Sequence, residues 1–290
     1  MSDKYEVRPE QSVELLKELH ILTRDGKMNQ DSRRKLKQVY HLFQFIEPLL
    51  KEAAEARAQG GQPGVSLVDH GAGKSYLGFI LYDLFFKQQP RDFVAASRIC
   101  GIETRDELVS RSRELAARLA FEAMEFQRLT VAESIDSPAL PATVDIVTAL
   151  HACDTATDDA IRFALAKRAR YIVLVPCCQA EVAAVLRKNK GQALGRSALT
   201  ELWRHPIHTR EFGSHVTNVL RCLQLEAHGY QVNVTELVGW EHSMKNELII
   251  ASDKKLPRRR PTERLAEVLQ TLGLEEMGGR FFAPEANHGD

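Results

Sequence analysis

An aspartate followed by two alternate glycines is the part of this chain best equipped for chemistry. Residues 65–75 read Val-Ser-Leu-Val-Asp-His-Gly-Ala-Gly-Lys-Ser, so Asp69 closes a short aliphatic run and Gly71 and Gly73 follow. Glycine there lets the backbone turn sharply and approach a ligand closely, because no Cβ intervenes. An amphipathic pattern starts just beyond, and a helix start offers free N–H groups and a positive dipole end. Together these predict the first βα turn of a nucleotide-type cofactor site. Two common versions fail on spacing. A P-loop ending at Gly73-Lys74-Ser75 needs a glycine where Val68 stands. A dinucleotide fingerprint needs a third glycine where Tyr76 stands.

Two further sets of residues carry reactive types. Glu103 ends a second short run, and His151-Ala152-Cys153-Asp154 follows a fourth. Imidazole titrates near pH 6.5 and can take a proton at neutral pH. Cys153, Cys177 and Cys178 could gather near His151 and suit zinc, but no C-x-x-C spacing is present. Buried thiols acting as small apolar groups are the commoner case, so no metal is expected.

The elements that must position these residues alternate along the chain. Residues 10–24 and 31–58 have helical apolar spacing, the second through Leu36, Val39, Tyr40, Phe43, Ile46 and Leu50. Gly60-Gly61-Gln62-Pro63-Gly64 separates this lead-in from the first strand. Helix, strand and helix follow at 77–85, 98–103 and 106–121, the last with Leu108, Leu115 and Leu119 on one face. Further strands are predicted at 124–131, 144–150, 171–175, 230–238 and 247–251, and helices at 158–170 and 214–228. Such alternation implies a parallel sheet covered on both faces.

Composition narrows the class. The 290 residues are 44% apolar and 27% charged, with a formal net charge of zero. No global field therefore draws the chain to nucleic acid or membrane; such a partner must meet a local patch. No apolar run approaches a membrane span. The opening Met-Ser-Asp-Lys-Tyr-Glu is unlike a secretory signal, and five cysteines without a framework read as reduced thiols. The expectation is a cytoplasmic protein.

Four segments carry a resemblance: residues 68–77 around Asp69-His70-Gly71-Ala72-Gly73; Gly101-Ile102-Glu103-Thr104-Arg105; residues 149–158 around His151-Ala152-Cys153-Asp154; and Pro176-Cys177-Cys178-Gln179. Glu241-His242-Ser243-Met244-Lys245-Asn246 also fits. Over residues 33–255 the chain resembles the class I S-adenosylmethionine (SAM) methyltransferase family that contains the methyltransferase-like 25 group and its bacterial relatives. A tRNA ribose 2′-O-methyltransferase is a more distant member. The resemblance implies an α/β, Rossmann-like fold. Its seven-stranded, mostly parallel sheet has helices on both faces and an N-terminal helical extension. It implies SAM as cofactor, a helical extension over residues 1–60, a SAM-binding domain over 61–255, and a basic linker, short helix and tail over 256–290. Many members have His where this chain has Gln179, so no role for that His transfers.

Within that frame, Asp69 pairs the methionyl ammonium while the turn at Gly71 and Gly73 passes beneath it. Glu103 accepts from both ribose hydroxyls, since a carboxylate's two oxygens suit a vicinal diol. The adenine lies after the third strand, near Leu129 and Thr130. His151 borders the transferred methyl as base and cofactor contact, with Asp154 orienting it or holding the acceptor. The alternative is that His151 packs locally while Thr155, Thr157 and Asp158 cap the next helix. Lys37 and Gln38 are candidates for a segment closing over SAM, and residues 187–213 for an acceptor lid.

Three basic clusters bear on the acceptor. They are Arg24, Lys27, Arg33, Arg34, Lys35 and Lys37; then Arg187, Lys188, Lys190, Arg196, Arg204, His205, His208 and Arg210; then Lys254, Lys255, Arg258, Arg259 and Arg260. Gathered on one face they would form an RNA groove; singly they read as solvated surface. RNA is the preferred acceptor. Protein methylation and a non-catalytic SAM-binding scaffold are the alternatives.

Overall fold

The computed structural model describes residues 7–150, 152, 154–176, 179–189, 201–202, 204–237 and 247–284. Seven strands form one sheet: β1 (Ser66–His70), β2 (Arg98–Glu103), β3 (Met124–Arg128), β4 (Ile146–Ala149), β5 (Tyr171–Leu174), β6 (Tyr230–Glu236) and β7 (Glu247–Asp253). Their order is β3-β2-β1-β4-β5-β7-β6. The first five run parallel, and β7 is antiparallel to both β5 and β6. Strand order reverses between β1 and β4, and ligands of open α/β sheets bind at such a switch point, outside the carboxyl ends. β1, β4 and β5 are buried throughout, as expected of parallel strands covered on both faces.

One face carries the lead-in. Helix α2 (Gln30–Gln59) starts at Asn29, whose side chain accepts the Ser32 N–H at 2.8 Å. Its apolar stripe is buried as the spacing predicts: Leu36, Val39, Tyr40, Phe43, Ile46 and Leu50. These join α3 (Tyr76–Leu84) in one core. The segment at 10–24 is only partly helical, as α1 (Val13–Glu18). It stops because His20 turns left-handed at φ 54°, where Ile21 N–H donates to Leu16 C=O at 2.8 Å. Ala120 ends α5 (Asp106–Arg118) in the same way, and Arg168 ends α7 (Thr155–Ala166). On α5 Val109, Ser112 and Ala116 are buried, and Leu115 and Leu119 of the predicted face are partly buried against the same core. A short α4 (Arg91–Ala96) precedes β2.

The third strand is shorter than predicted. It ends at Arg128, and Thr130 caps α6 (Val131–Asp136) through a reciprocal pair with Glu133. Two more differences lie downstream. Helix α8 (Glu181–Lys188) has no counterpart in the sequence reading, and α9 (Pro206–Ala227) starts eight residues before 214. Part of the expected lid is therefore regular helix; residues 190–200 lie outside the described residues. Helix α10 (Arg259–Thr271) buries Leu265 and Leu269 with Val182 and Leu186 of α8 and Leu220 of α9 in a separate core. Among the described residues no helix is long and apolar enough to cross a membrane.

Candidate active site

The carboxyl edge of β1 and β2 assembles the corner expected from the sequence. Asp69 is 4% exposed and accepts the Thr148 hydroxyl of β4 at 2.7 Å. Among the described residues it has no other side-chain donor. Burial pushes its carboxyl up to about 7, and the Thr148 hydrogen bond only partly offsets this. Gly71 and Gly73 follow at φ 62° and 57°, a region closed to most other residues. A Cβ on Gly71 would lie 3.4 Å from Ala152, so the turn runs close beside the segment after β4.

Glu103 reaches the same turn from the neighbouring strand. Its Oε2 accepts the Gly73 N–H at 2.9 Å, and Oε1 accepts the N–H groups of Thr104 and Arg105, each at 3.0 Å. The Arg105 guanidinium adds bonds of 3.0 and 3.1 Å. Burial pushes this carboxyl up, but the bonds from Arg105 and Gly73 outweigh it and hold it at about 2. Glu103 and the glycine turn thus form one unit.

A cavity of about 240 Å³ opens beside Asp69, Gly71 and Tyr76. Its opposite wall is the lead-in helix α2, through Gln38, Val39 and Leu42. Lys35 also lines it, whereas Lys37 does not. A second cavity, of about 260 Å³, lies at the carboxyl end of β5. Pro176, Gln179, Ser214, Asn218, Thr235 and Glu247 line it. Gln179 is held from both sides: Ser214 Oγ donates to its Oε1 at 2.6 Å, and its Nε2 donates to Asn218 Oδ1 at 2.8 Å. Asn218 in turn donates to Glu247 at 2.7 Å.

The remaining candidates fare differently. Asp154 takes a left-handed φ of 50° at the N-cap of α7, and its Oδ1 accepts the Ala180 N–H at 3.0 Å. Its carbonyl accepts from Arg221 at 2.9 Å. The carboxylate thus ties the entry of α8 to that of α7. Thr130 is exposed and its hydroxyl is engaged with Glu133. His151, Cys153, Cys177, Cys178 and residues 241–246 lie outside the described residues. Among the described residues no cluster of His, Cys, Asp and Glu could hold a metal ion. Cys100 and Cys222 are free thiols that burial pushes up to about 12, so neither is a ready nucleophile.

The sequence reading missed Arg221 and the role of Arg105. Arg221 is wholly buried, and its guanidinium donates to Asp158 at 2.6 and 3.0 Å. Nothing in the local pattern signals a partner 63 residues away. Arg105 adjoins Glu103 in the sequence, but only the turn geometry folds its side chain back.

A parallel sheet with an antiparallel seventh strand, carrying an Asp and Glu corner at its switch point, defines the class I, Rossmann-like methyltransferase fold. The cofactor of this class is S-adenosylmethionine. A family model described as a methyltransferase domain, Methyltransf_32, matches residues 34–185, and the chain belongs to that family. No curated protein sequence matches the chain. Three solved structures illustrate the range of similar folds. An rRNA methylase from Streptococcus thermophilus is 10% identical over 73% of this chain and 95% of its own, with a TM-score of 0.42. Magnesium protoporphyrin IX methyltransferase from Synechocystis PCC 6803, with bound SAH, is 15% identical over 82% and 91%, with a TM-score of 0.40. Precorrin-6y C5,15-methyltransferase from Geobacter metallireducens is 16% identical over 66% and 80%, with a TM-score of 0.37.

Proposed function

We propose that this protein transfers a methyl group from S-adenosylmethionine to an acceptor in RNA, and that it stands with the methyltransferase-like 25 group. The observation that carries the cofactor half is the hydrogen bond joining Glu103 to Gly73, one strand away from the buried Asp69. Asp69 is a desolvated carboxylate beside a cavity, a setting that favours a cationic partner such as the methionyl ammonium. Glu103 receives the ribose, and the segment at Leu129 and Thr130 the adenine. The cofactor supplies an electrophilic methyl. The protein's part is to align the acceptor and exclude water. His151, two residues beyond β4 in sequence, serves as base, and Asp154 positions the segment that carries it. The cavity at Gln179 and Asn218 takes the acceptor; it lies on the same carboxyl edge and offers amide, hydroxyl and carboxylate groups.

Support for RNA comes from two of the basic clusters. Lys35 lines the cofactor cavity, which sets the start of α2, with Arg33 and Arg34, at the carboxyl edge. His205, His208 and Arg210 lie at the start of α9, which runs from that edge past Asn218 to Tyr230. The third cluster follows Asp253, which pairs with Tyr230 at the opposite edge, and plays no part. Purified protein with isotope-labelled SAM is expected to label RNA-rich rather than protein-rich cell fractions. Label in protein alone would favour a protein acceptor, and label in neither the scaffold. His151→Ala is expected to slow turnover far more than it weakens SAM binding.

A further inference from the structure

Glu103 is overcommitted. An ionised carboxylate has about four lone-pair sites, yet this one receives six donor contacts. Three come from the backbone N–H groups of Gly73, Thr104 and Arg105. One comes from the Thr104 hydroxyl at 3.3 Å, and two from the Arg105 guanidinium. No site is left for the hydroxyls of a ribose. Something must leave before a nucleoside can dock.

The three backbone donors are built into the glycine turn and the start of α5. The guanidinium and the rotatable Thr104 hydroxyl, whose contact is the longest at 3.3 Å, are not; without them three donors remain on about four sites. Arg105 is 67% exposed while Glu103 is 9% exposed, so the guanidinium can be rehydrated at little cost. Its two bonds fall one on each carboxylate oxygen, Nε to Oε1 and Nη2 to Oε2. A vicinal diol would present the same pattern, one donor per oxygen. The guanidinium also lies beside the glycine turn: a Cβ placed on Gly73 would be 3.9 Å from Arg105 Nη2 and equally far from the Gly71 carbonyl oxygen.

We propose that the Arg105 guanidinium is an internal stand-in for the ribose diol, bound to Glu103 in the free protein and displaced by the cofactor. This rests on the cofactor reading above. Arg105 then lowers the apparent affinity of the site by the fraction of molecules in which Glu103 is blocked, and does so only for ligands that carry the diol.

Calorimetric titration of the full chain tests this with S-adenosylhomocysteine, methylthioadenosine and L-methionine. Arg105→Ala and Arg105→Gln are expected to tighten the first two by about two- to fivefold, a range suited to release of one exposed ion pair. Affinity for L-methionine should not change. In a Glu103→Gln background the gain from Arg105→Ala should disappear. Equal or weaker nucleoside binding by both Arg105 variants, with thermal melting unchanged, overturns the stand-in role. If wild type and variants alike fail to bind either nucleoside, the cofactor reading falls, and this proposal with it.

Discussion

The two halves of the carboxyl edge are built on different plans. On the β1–β2 side the site is mostly backbone: two left-handed glycines, a run of N–H donors, and carboxylates at strand ends. On the β5–β7 side it is a side-chain network. Ser214, Gln179, Asn218 and Arg221 connect strand ends to α9, and Arg221 continues to Asp158. The first plan suits a ligand of constant shape, because a backbone cradle tolerates few changes. The second can be altered one side chain at a time, which suits a ligand whose shape varies.

Several experiments break or sharpen this contrast. The largest effect is expected from Arg221→Met, which leaves Asp158 buried without its partner. A loss of about 3–5 kcal/mol is expected in urea unfolding; a loss below about 1 kcal/mol would mean the network does not hold the acceptor side together. Asp69→Ala and Glu103→Ala should each weaken SAM by about 1–3 kcal/mol in calorimetry, and unchanged affinity would remove the residue from the corner.

Asp69 also has a pH signature. Its carboxyl lies at about 7 in the fold against 3.8 ordinarily, so the protonated form is favoured by folding. Its contribution to stability is complete below about pH 4 and is lost as pH rises towards 7. Asp69→Asn should flatten the unfolding midpoint between pH 5 and 7.5 relative to wild type; parallel curves would place Asp69 in water. Glu103 has the opposite sign: its share is complete above about pH 4.5 and is lost as pH falls towards 2.

Thr130→Ala should cost about 1 kcal/mol through its cap. A matching loss of SAM affinity would add a cofactor contact, and none would restrict Thr130 to the helix. The smallest effect is expected from reversing Arg258, Arg259 and Arg260 together. RNA labelling should stay within about twofold of wild type; a collapse would show that the far edge takes part in binding.

Some parts of this fold were legible residue by residue. The α2 stripe came out as spaced because burial of a helix face must repeat every 3.6 residues. The glycine turn was legible because few other residues tolerate those angles. Helix ends were not. His20, Ala120 and Arg168 take the left-handed position that glycine usually marks, and local hydrogen bonds and packing override their preference. Thr130 read as strand because a capping box needs only the Glu133 that follows, and it broke a run of strand-like residues.

What the amino-acid order determined by itself is the class of cofactor corner and the alternation that builds its sheet, because turn angles and apolar periods are local properties of the chain. Tertiary structure alone decided three things: that Glu103 closes on Gly73, that Arg221 finds Asp158, and that one basic run falls at the far edge. Each depends on which strands become neighbours and in which direction they run, and that is settled only when the whole sheet packs.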